Sequence, residues 1–242
     1  MPTELRNILA IIPARSGSKG VKDKNIRILD GKPLLWYSVQ AAKECSYIHT
    51  TLVSTDSERY AEVARECGAE VPWLRPAELS ADTTASIDVV IHALEYYLQQ
   101  GRHFDAVCLL QPTTPLREKG SLIGAVERFL MLDADALVSV VPVPHEYNPH
   151  WLFEPDAQGL LHIATGEKEI IKRRQELPPA FMRDGSIYLT KTSVLLEQRS
   201  LYGQKLAYWE NKVDFRVNID VEADWLLAEE KVISLKGRFI GS

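Results

Sequence analysis

The sequence ILAIIPARSGSKGVKDKN, residues 8–25, joins a short apolar run to a loop rich in glycine and lysine. An apolar run of this length predicts a strand buried on both faces, as in a parallel sheet. The loop can hold phosphate, because glycine lets backbone N–H groups turn toward an anion and the cations neutralise its charge. Its spacing matches neither the P-loop (GxxxxGKS/T) nor the dinucleotide fingerprint (GxGxxG). The stretch therefore predicts a phosphate site of another kind.

Apolar runs alternate with helical patterns over most of the chain. Strands are predicted at 8–12, 50–54, 70–73, 106–110, 136–141 and 186–190, and helices at 34–44, 58–67, 86–99, 121–132 and 224–233. Apolar strands that alternate with helices are typical of a parallel sheet covered on both faces. The fold class predicted is α/β, with a mostly parallel sheet.

Polar loops follow three of the predicted strands, at 13–25, 54–57 and 111–117. Ligands of such sheets bind at the carboxyl ends of the strands. We therefore expect the three loops to lie on one rim and to converge on one crevice.

The alternation breaks between about residues 142 and 180. Four prolines and two glycines there indicate an irregular or hairpin-rich segment, which Pro178-Pro179 closes. No internal repeat divides the rest. The sequence predicts a single domain over 1–242 with an insertion at about 142–180.

Composition excludes some classes of function. The 242 residues include 45% apolar and 25% charged residues, as in ordinary globular proteins, and the net charge of −5 argues against a nucleic-acid partner. Residues 15–32 are nevertheless basic, which suits a small polyanion. Their cations are Arg15, Lys19, Lys22, Lys24, Arg27 and Lys32, against Asp23 and Asp30.

The cysteines and the first apolar run bear on location. Cys45, Cys67 and Cys108 include no CxxC pair, which fits a reducing compartment. The run at 8–12 is too short for a signal-peptide core or a membrane span. We expect a cytoplasmic protein without a membrane partner.

Five motifs together closely resemble the acylneuraminate cytidylyltransferase family (CMP-sialic acid synthetases). They stand in family order over about residues 8–233: PARSGSKG…KN from Pro13, RPAEL from Arg75, LLQPTTPLR from Leu109, RRQELP from Arg173 and VNID from Val217. The resemblance implies a three-layer, Rossmann-like sheet of the nucleotide-diphospho-sugar transferase type. It also implies a homodimer formed through the insertion, and a reaction of CTP with a nine-carbon 2-keto sugar acid that gives a CMP-sugar and pyrophosphate.

The resemblance assigns the first loop to the nucleotide. Arg15 matches an arginine on the triphosphate, for which a planar guanidinium is well suited. Lys24 matches a lysine at the α-phosphate, where negative charge builds during attack. Lys19 is expected to be a second phosphate ligand and Asn25 a cytidine ligand. For a single lysine the alternative is a solvated surface charge.

Three further residues are implied on the nucleotide side. Arg75 and Ser86 match nucleotide-binding residues, and Gln111 matches a glutamine between nucleotide and sugar. The alternatives are a surface salt bridge for Arg75, a helix N-cap for Ser86 and a rigid loop for the residues around Gln111.

Nucleotidyl transfer needs Mg²⁺, because the triphosphate must be neutralised and its leaving group stabilised. Asp220 matches the principal metal carboxylate of the family, and oxygen ligands suit this ion. Asn218 stands where the family usually has a second aspartate, so it brings no charge. Glu222 and Asp224 are expected to begin a helix rather than to bind metal.

Expectations for the sugar side also come from the resemblance. Arg173 and Arg174 match basic residues that approach the active site, with a charged surface as the alternative. Asp184 replaces an asparagine that lines the sugar pocket, and Tyr188 follows it in the same motif. Tyr202 falls where some members offer an aromatic pair to the neighbouring subunit's sugar, with core packing as the alternative.

The hypothesis is a Mg²⁺-dependent cytidylyltransferase that acts on a nonulosonic acid of the sialic, legionaminic or pseudaminic type. One alternative is a related nucleotidyltransferase that uses another nucleotide or a sugar-phosphate acceptor. Another is a non-catalytic nucleotide-sugar sensor on the same fold. The motifs do not select among the sugars, since that choice depends on pocket shape.

Overall fold

The computed structural model describes residues 7–241 and contains one six-stranded sheet with two small ribbons. The strands are β1 (Ile8–Pro13), β2 (Ile28–Leu29), β3 (Lys32–Pro33), β4 (Ile48–Ser54), β5 (Ala106–Leu109), β6 (Ala136–Pro142), β7 (Phe153–Pro155), β8 (Leu161–Ile163), β9 (Phe181–Lys191) and β10 (Leu206–Glu210). The helices are α1 (Leu34–Glu44), α2 (Glu58–Glu66), α3 (Ser86–Gln99), α4 (Ser121–Met131), α5 (Thr192–Gln198) and α6 (Glu222–Ser234).

The large sheet has the order β10-β6-β9-β5-β1-β4. Every neighbouring pair is parallel except those of β9, which runs antiparallel to both β5 and β6. The predicted mostly parallel α/β sheet is confirmed.

The buried strand β1 shows why the sheet has a helical layer on each face. Its residues 8–12 are fully buried and alternate between two apolar clusters. Ile8, Ala10 and Ile12 pack in the cluster that contains α1, α2 and α4. Leu9 and Ile11 face the cluster of α3 and α5. Period-two alternation between two helical layers produces the three-layer fold.

Predicted and observed elements agree best where the apolar pattern is strong. Helices α1 and α3 have the predicted bounds. The strand predicted at 70–73 is wrong, because only Glu70 makes a bridge, to Leu52. Helix α5 and strand β10 were not predicted. Strand β10 lies at the sheet edge with Leu206 and Tyr208 exposed, so it lacks the apolar run of an inner strand.

The segment between β6 and β9 contains the β7–β8 hairpin and short 3-10 turns, as the prolines and glycines predict. Trp151 Nε1 donates to the Ile171 carbonyl at 2.6 Å, and Asn148 Nδ2 donates to the Pro178 carbonyl at 2.9 Å. Both bonds join the first part of the segment to its last part.

A bulge in β9 places functional side chains. Val138 and Val140 of β6 pair with Tyr188 and Arg183, so the four residues 184–187 of β9 lie opposite Ser139 alone, three more than a regular ladder places there. The Ser139 hydroxyl fills the gap: it donates to Asp184 Oδ1 at 2.5 Å and accepts from the Ile187 N–H at 2.7 Å. Bulges of this kind redirect side chains beside functional sites.

Arg117 is a cation inside the core, with 2% of its surface exposed. Its guanidinium donates to the Gln111 carbonyl at 3.0 Å, to the Ser186 carbonyl at 3.0 and 3.2 Å, and to Ser38 Oγ at 3.1 Å. Burial lowers the pKa of Arg117 to about 10. One side chain therefore joins α1, the loop after β5 and the β9 bulge.

We expect Arg117→Met to lower the melting temperature by about 5–15 °C. The Ser186 carbonyl loses the donor that Arg117 supplies, at a cost of about 1–3 kcal/mol, and the lost bonds to Ser38 and Gln111 add to it. About 1 kcal/mol corresponds to 2–4 °C in a chain of this size. Differential scanning calorimetry would measure the shift, with the exposed Arg216→Met as the control. Equal melting temperatures for the two variants would contradict this account.

Candidate active site

A cleft of about 500 Å³ opens at the carboxyl ends of β1 and β5. It collects most of the residues that the sequence assigned to nucleotide and metal. Those in its lining are Arg15, Lys19, Lys24, Asn25, Arg75, Ser86, Gln111, Asn218 and Asp220. Loops 13–25 and 111–117 therefore meet at one crevice, as expected.

Loop 54–57 does not line this crevice but binds loop 13–25, which does. Asp56 accepts hydrogen bonds from the N–H and the hydroxyl of Ser16, at 2.6 and 2.8 Å. Burial raises the pKa of the Asp56 carboxyl, but the bonds from Ser16 outweigh it and hold that pKa below its usual value. Asn25 Nδ2 donates to the Arg15 carbonyl at 3.0 Å and closes the loop on itself.

Gly20 lies against the other end of the chain. A Cβ at this position would lie 1.9 Å from the carbonyl oxygen of Asp220. Only a residue without a side chain permits this approach. The contact sets the spacing between the phosphate loop and the candidate metal carboxylate.

Lys24 is held at the same junction. Its Nζ donates to the Ile219 carbonyl at 2.7 Å and lies 3.5 Å from Asp220 Oδ1, with 13% of the side chain exposed. Burial lowers the pKa of Lys24, and Asp220 acts in the opposite direction. A half-desolvated ammonium in this position can stabilise charge that develops on a phosphate.

Asp82 is a site residue that the sequence did not reveal. Its carboxylate forms ion pairs with both Arg15 and Lys19 inside the cleft. The pKa of Asp82 is lowered mainly by the hydrogen bond from Lys19. Asp82 belongs to none of the five motifs. The path of the loop between RPAEL and α3 brings it into the cleft.

Arg75 is the most informative side chain of the cleft. It is 5% exposed, and its Nε and Nη2 atoms lack hydrogen-bond partners within residues 7–241. Burial lowers the pKa of Arg75, Asp56 raises it and Arg15 lowers it. Buried guanidinium nitrogens without acceptors are costly, so the cleft is built for a ligand that supplies them. The alternative of a surface salt bridge does not apply to Arg75, because the residue is buried.

A second cavity of about 300 Å³ adjoins the first, because Ser86 and Gln111 line both. Tyr188 and Tyr202 line it, with ring centroids 6.4 Å apart in an edge-to-face arrangement. Ser86 is the first residue of α3, and Ala85 holds the N-cap position, so Ser86 is not the cap. Tyr202 therefore lines a cavity of its own chain, whereas the resemblance places it at the sugar of the neighbouring subunit.

Three predicted residues lie elsewhere in the described chain. Asp184 lines neither cavity; its carboxylate accepts from Ser139 and from Asn211 Nδ2 at 2.6 Å. These bonds stabilise the β9 bulge, so the geometry favours a structural role over the predicted contact with sugar. Arg173 and Arg174 are exposed on the 142–180 segment and line neither cavity. In the single chain they match the charged-surface alternative.

Asp220 and Asn218 are the candidate metal ligands. Asn218 Nδ2 donates to Asp220 Oδ2 at 2.6 Å, and both residues line the cleft. Within residues 7–241 no cluster of three or more His, Cys, Asp or Glu side chains could enclose a metal. This donor set fits Mg²⁺, which is commonly held by one or two carboxylates together with substrate phosphates and water. Asp224 instead accepts from the N–H groups of Asp220 and Val221 at the start of α6, as expected.

The sequence profile described as Cytidylyltransferase matches residues 9–236. The chain belongs to the cytidylyltransferase family. This confirms the resemblance carried by the five motifs.

The similar curated proteins have related names. A CMP-N,N'-diacetyllegionaminic acid synthase of Legionella pneumophila is 37% identical over 92% of this chain and 95% of its own length. N-acylneuraminate cytidylyltransferases of Danio rerio and Escherichia coli are 34% and 32% identical over 94% and 91% of this chain. This cytidylyltransferase spans about half the length of the latter two, 51% of each.

Solved structures confirm the fold. A CMP:2-keto-3-deoxy-manno-octonic acid synthetase complexed with CTP superposes with a TM-score of 0.68 at 14% identity, over 95% of this chain and 99% of that one. A 4-diphosphocytidyl-2C-methyl-D-erythritol synthase of Anaerococcus prevotii gives 0.59 at 11% identity, over 93% and 98%. The predicted Rossmann-like cytidylyltransferase architecture is correct.

We expect Gly20→Ala to reduce the kcat of the cytidylyltransferase by about 100-fold, because the added methyl group must displace Asp220 by more than an ångström. Pyrophosphate release with CTP would measure it. Gly17→Ala is the matched control: the residue has φ +71° and an added Cβ would meet no atom within 4 Å, so only local strain of about 1–2 kcal/mol is introduced. Equal losses in the two variants would show that the Gly20–Asp220 contact has no special role.

Proposed function

We propose that this cytidylyltransferase transfers CMP from CTP to the anomeric hydroxyl of a nonulosonic acid and releases pyrophosphate. The observation that carries the proposal is Arg75, a buried cation with two unpartnered nitrogens that lines the same cleft as Arg15, Lys19 and Lys24. A polyanionic nucleotide supplies the acceptors and charge that this set lacks. The adjoining cavity, which shares Gln111, leaves space for an acceptor beside the nucleotide.

In this mechanism the acceptor hydroxyl attacks the α-phosphate, and the bond to the β-phosphate breaks. Arg15 and Lys19 leave their ion pairs with Asp82 and bind the triphosphate instead. Lys24 stabilises negative charge at the α-phosphate. Gln111 lies between the two cavities and orients both reactants. Asp220 with Asn218 would hold Mg²⁺, which neutralises the triphosphate and stabilises the leaving pyrophosphate.

Relatives guide the choice of acceptor class. The Legionella pneumophila relative is named for a diacetylated legionaminic acid, and several others for N-acylneuraminate. The second cavity offers apolar walls at Ile87, Leu109 and Leu201, which suit the methyl groups of N-acyl substituents. We propose a sugar acid of the sialic, legionaminic or pseudaminic type for this chain.

A homodimer is part of the proposal. The β7–β8 hairpin exposes Phe153, Leu160 and Leu161 with 48%, 64% and 65% of their surface accessible, and Leu152 adjoins them. Exposed apolar residues grouped in one hairpin are typical of an interface, here with a second copy of the chain. Arg173 and Arg174 lie on the same segment, so a dimer would bring them beside the partner rather than leave them in solvent.

We also place the enzyme in the cytoplasm, which its three free cysteines support. None of the helices in residues 7–241 is long and apolar enough to cross a lipid bilayer.

We expect Lys24→Met to reduce kcat by at least about 100-fold while Lys22→Met, an exposed lysine of the same loop, stays within threefold. Pyrophosphate release would be measured with CTP, UTP, ATP and GTP against a panel of nonulosonic acids and sugar phosphates. The wild type should be active with CTP and a sugar acid. Activity with another nucleotide or a sugar phosphate would identify the alternative transferase, and CTP binding without turnover would identify a sensor.

The dimer is tested by Leu161→Asp. Sedimentation velocity should give twice the chain mass for the wild type and the chain mass for the variant, because a buried carboxylate opposes association. Ile233→Asp, equally exposed but on α6, should remain dimeric. A monomeric wild type would overturn this part of the proposal.

A further inference from the structure

We propose that Arg183 binds the carboxylate of the acceptor and thereby selects sugar acids over neutral sugars. This assignment rests on the proposed function and adds a specificity residue that the five motifs do not contain. It follows from where the β9 bulge places the side chain and from what surrounds it.

The bulge brings Arg183 and Tyr188 to one cavity. Residues five apart on a regular strand point to opposite faces, but the three extra residues within 184–187 change this relation. Both side chains line the second cavity, together with Gln111. Asp184, the neighbour of Arg183 in sequence, is bonded to Ser139 and Asn211 and does not line that cavity.

Charge distinguishes Arg183 from the other cation of this cavity. Arg199 forms an ion pair with Asp88 at 3.0 Å. Arg183 has no carboxylate within ion-pair distance among residues 7–241, and no Asp or Glu lines the cavity in that part of the chain. The Arg183 side chain is exposed at the cavity, so its guanidinium is open to an anion that enters there.

Tyr202 holds the guanidinium in place. Arg183 Nη1 donates to Tyr202 Oη at 3.0 Å, and the Tyr202 ring packs edge-to-face on Tyr188. This bond uses one of five N–H groups, so the planar fork still offers paired donors to a carboxylate. A side chain fixed in this way loses less conformational freedom when it binds.

The chemistry of the acceptor makes this position useful. In a cyclic 2-keto sugar acid the carboxylate is attached directly to the anomeric carbon. A cation that holds the carboxylate therefore also orients the anomeric hydroxyl toward the shared wall at Gln111 and the nucleotide cleft. It also offsets the repulsion between this carboxylate and the triphosphate.

The test compares Arg183→Gln with Arg183→Lys and with the control Arg65→Gln, an exposed arginine on α2 that lines neither cavity. Arg174→Gln tests the competing basic residue of the 142–180 segment. The acceptors are N,N'-diacetyllegionaminic acid and its methyl ester, which lacks the charge. We expect Arg183→Gln to raise KM for the acid by about 10- to 100-fold, to change KM for the ester less than threefold and to leave the Kd of CTP unchanged. Arg183→Lys should recover part of the loss, and Arg65→Gln should resemble the wild type.

Equal losses for acid and ester, or a weakened Kd for CTP, would show a merely structural role and overturn the proposal. A loss in Arg174→Gln with none in Arg183→Gln would move the carboxylate site to the 142–180 segment and overturn it as well. Calorimetric binding of the acid without Mg²⁺ compares the wild type with Arg183→Gln directly. It decides the role of Arg183 even if the wild type transfers no CMP, a result that would refute the proposed function alone.

Discussion

The hydrogen bonds of the buried Arg117 fix the geometry on which both cavities depend. Its guanidinium joins Ser38 of α1, the Gln111 carbonyl and the Ser186 carbonyl of the β9 bulge. Gln111 forms the wall shared by the two cavities, and a Cβ at Gly185 would lie 3.2 Å from Gln111 Oε1. A cation without water around it tolerates little displacement of its acceptors. The spacing between the two cavities therefore depends on a residue that lines neither of them.

Asp184 and Ser139 likewise fix the geometry beside the second cavity, through the β9 bulge. Their hydrogen bonds stabilise an irregular stretch in the middle of a sheet, where unpaired backbone groups would otherwise be costly. The result is a strand that serves two purposes. One end of β9 completes the core, and the other presents Arg183 and Tyr188 to the second cavity.

The convergence of Lys24, Asn25 and Gln111 on the first cleft could be predicted from sequence because these residues lie in loops that follow buried strands. Lys24, Asn25 and Gln111 lie where an apolar run and its polar end place them. Asp82 and Arg183 could not be predicted in this way, since one depends on a loop path and the other on a bulge. Edge strand β10 and the wrongly predicted strand at 70–73 show a related limit: at the sheet margin, tertiary contacts decide pairing more than local pattern does.

The contact between Gly20 and Asp220 has a consequence for folding. These residues are separated by almost the whole chain, so closing this junction requires the loop with the highest sequence separation in the site. During synthesis loop 13–25 emerges early. Its contacts with residues 219–220 can form only after the last strand and the 218–220 turn have been made. The cleft is thus completed late in synthesis, and a chain truncated before residue 220 would carry Lys24 without the Asp220 carboxylate that lies beside it.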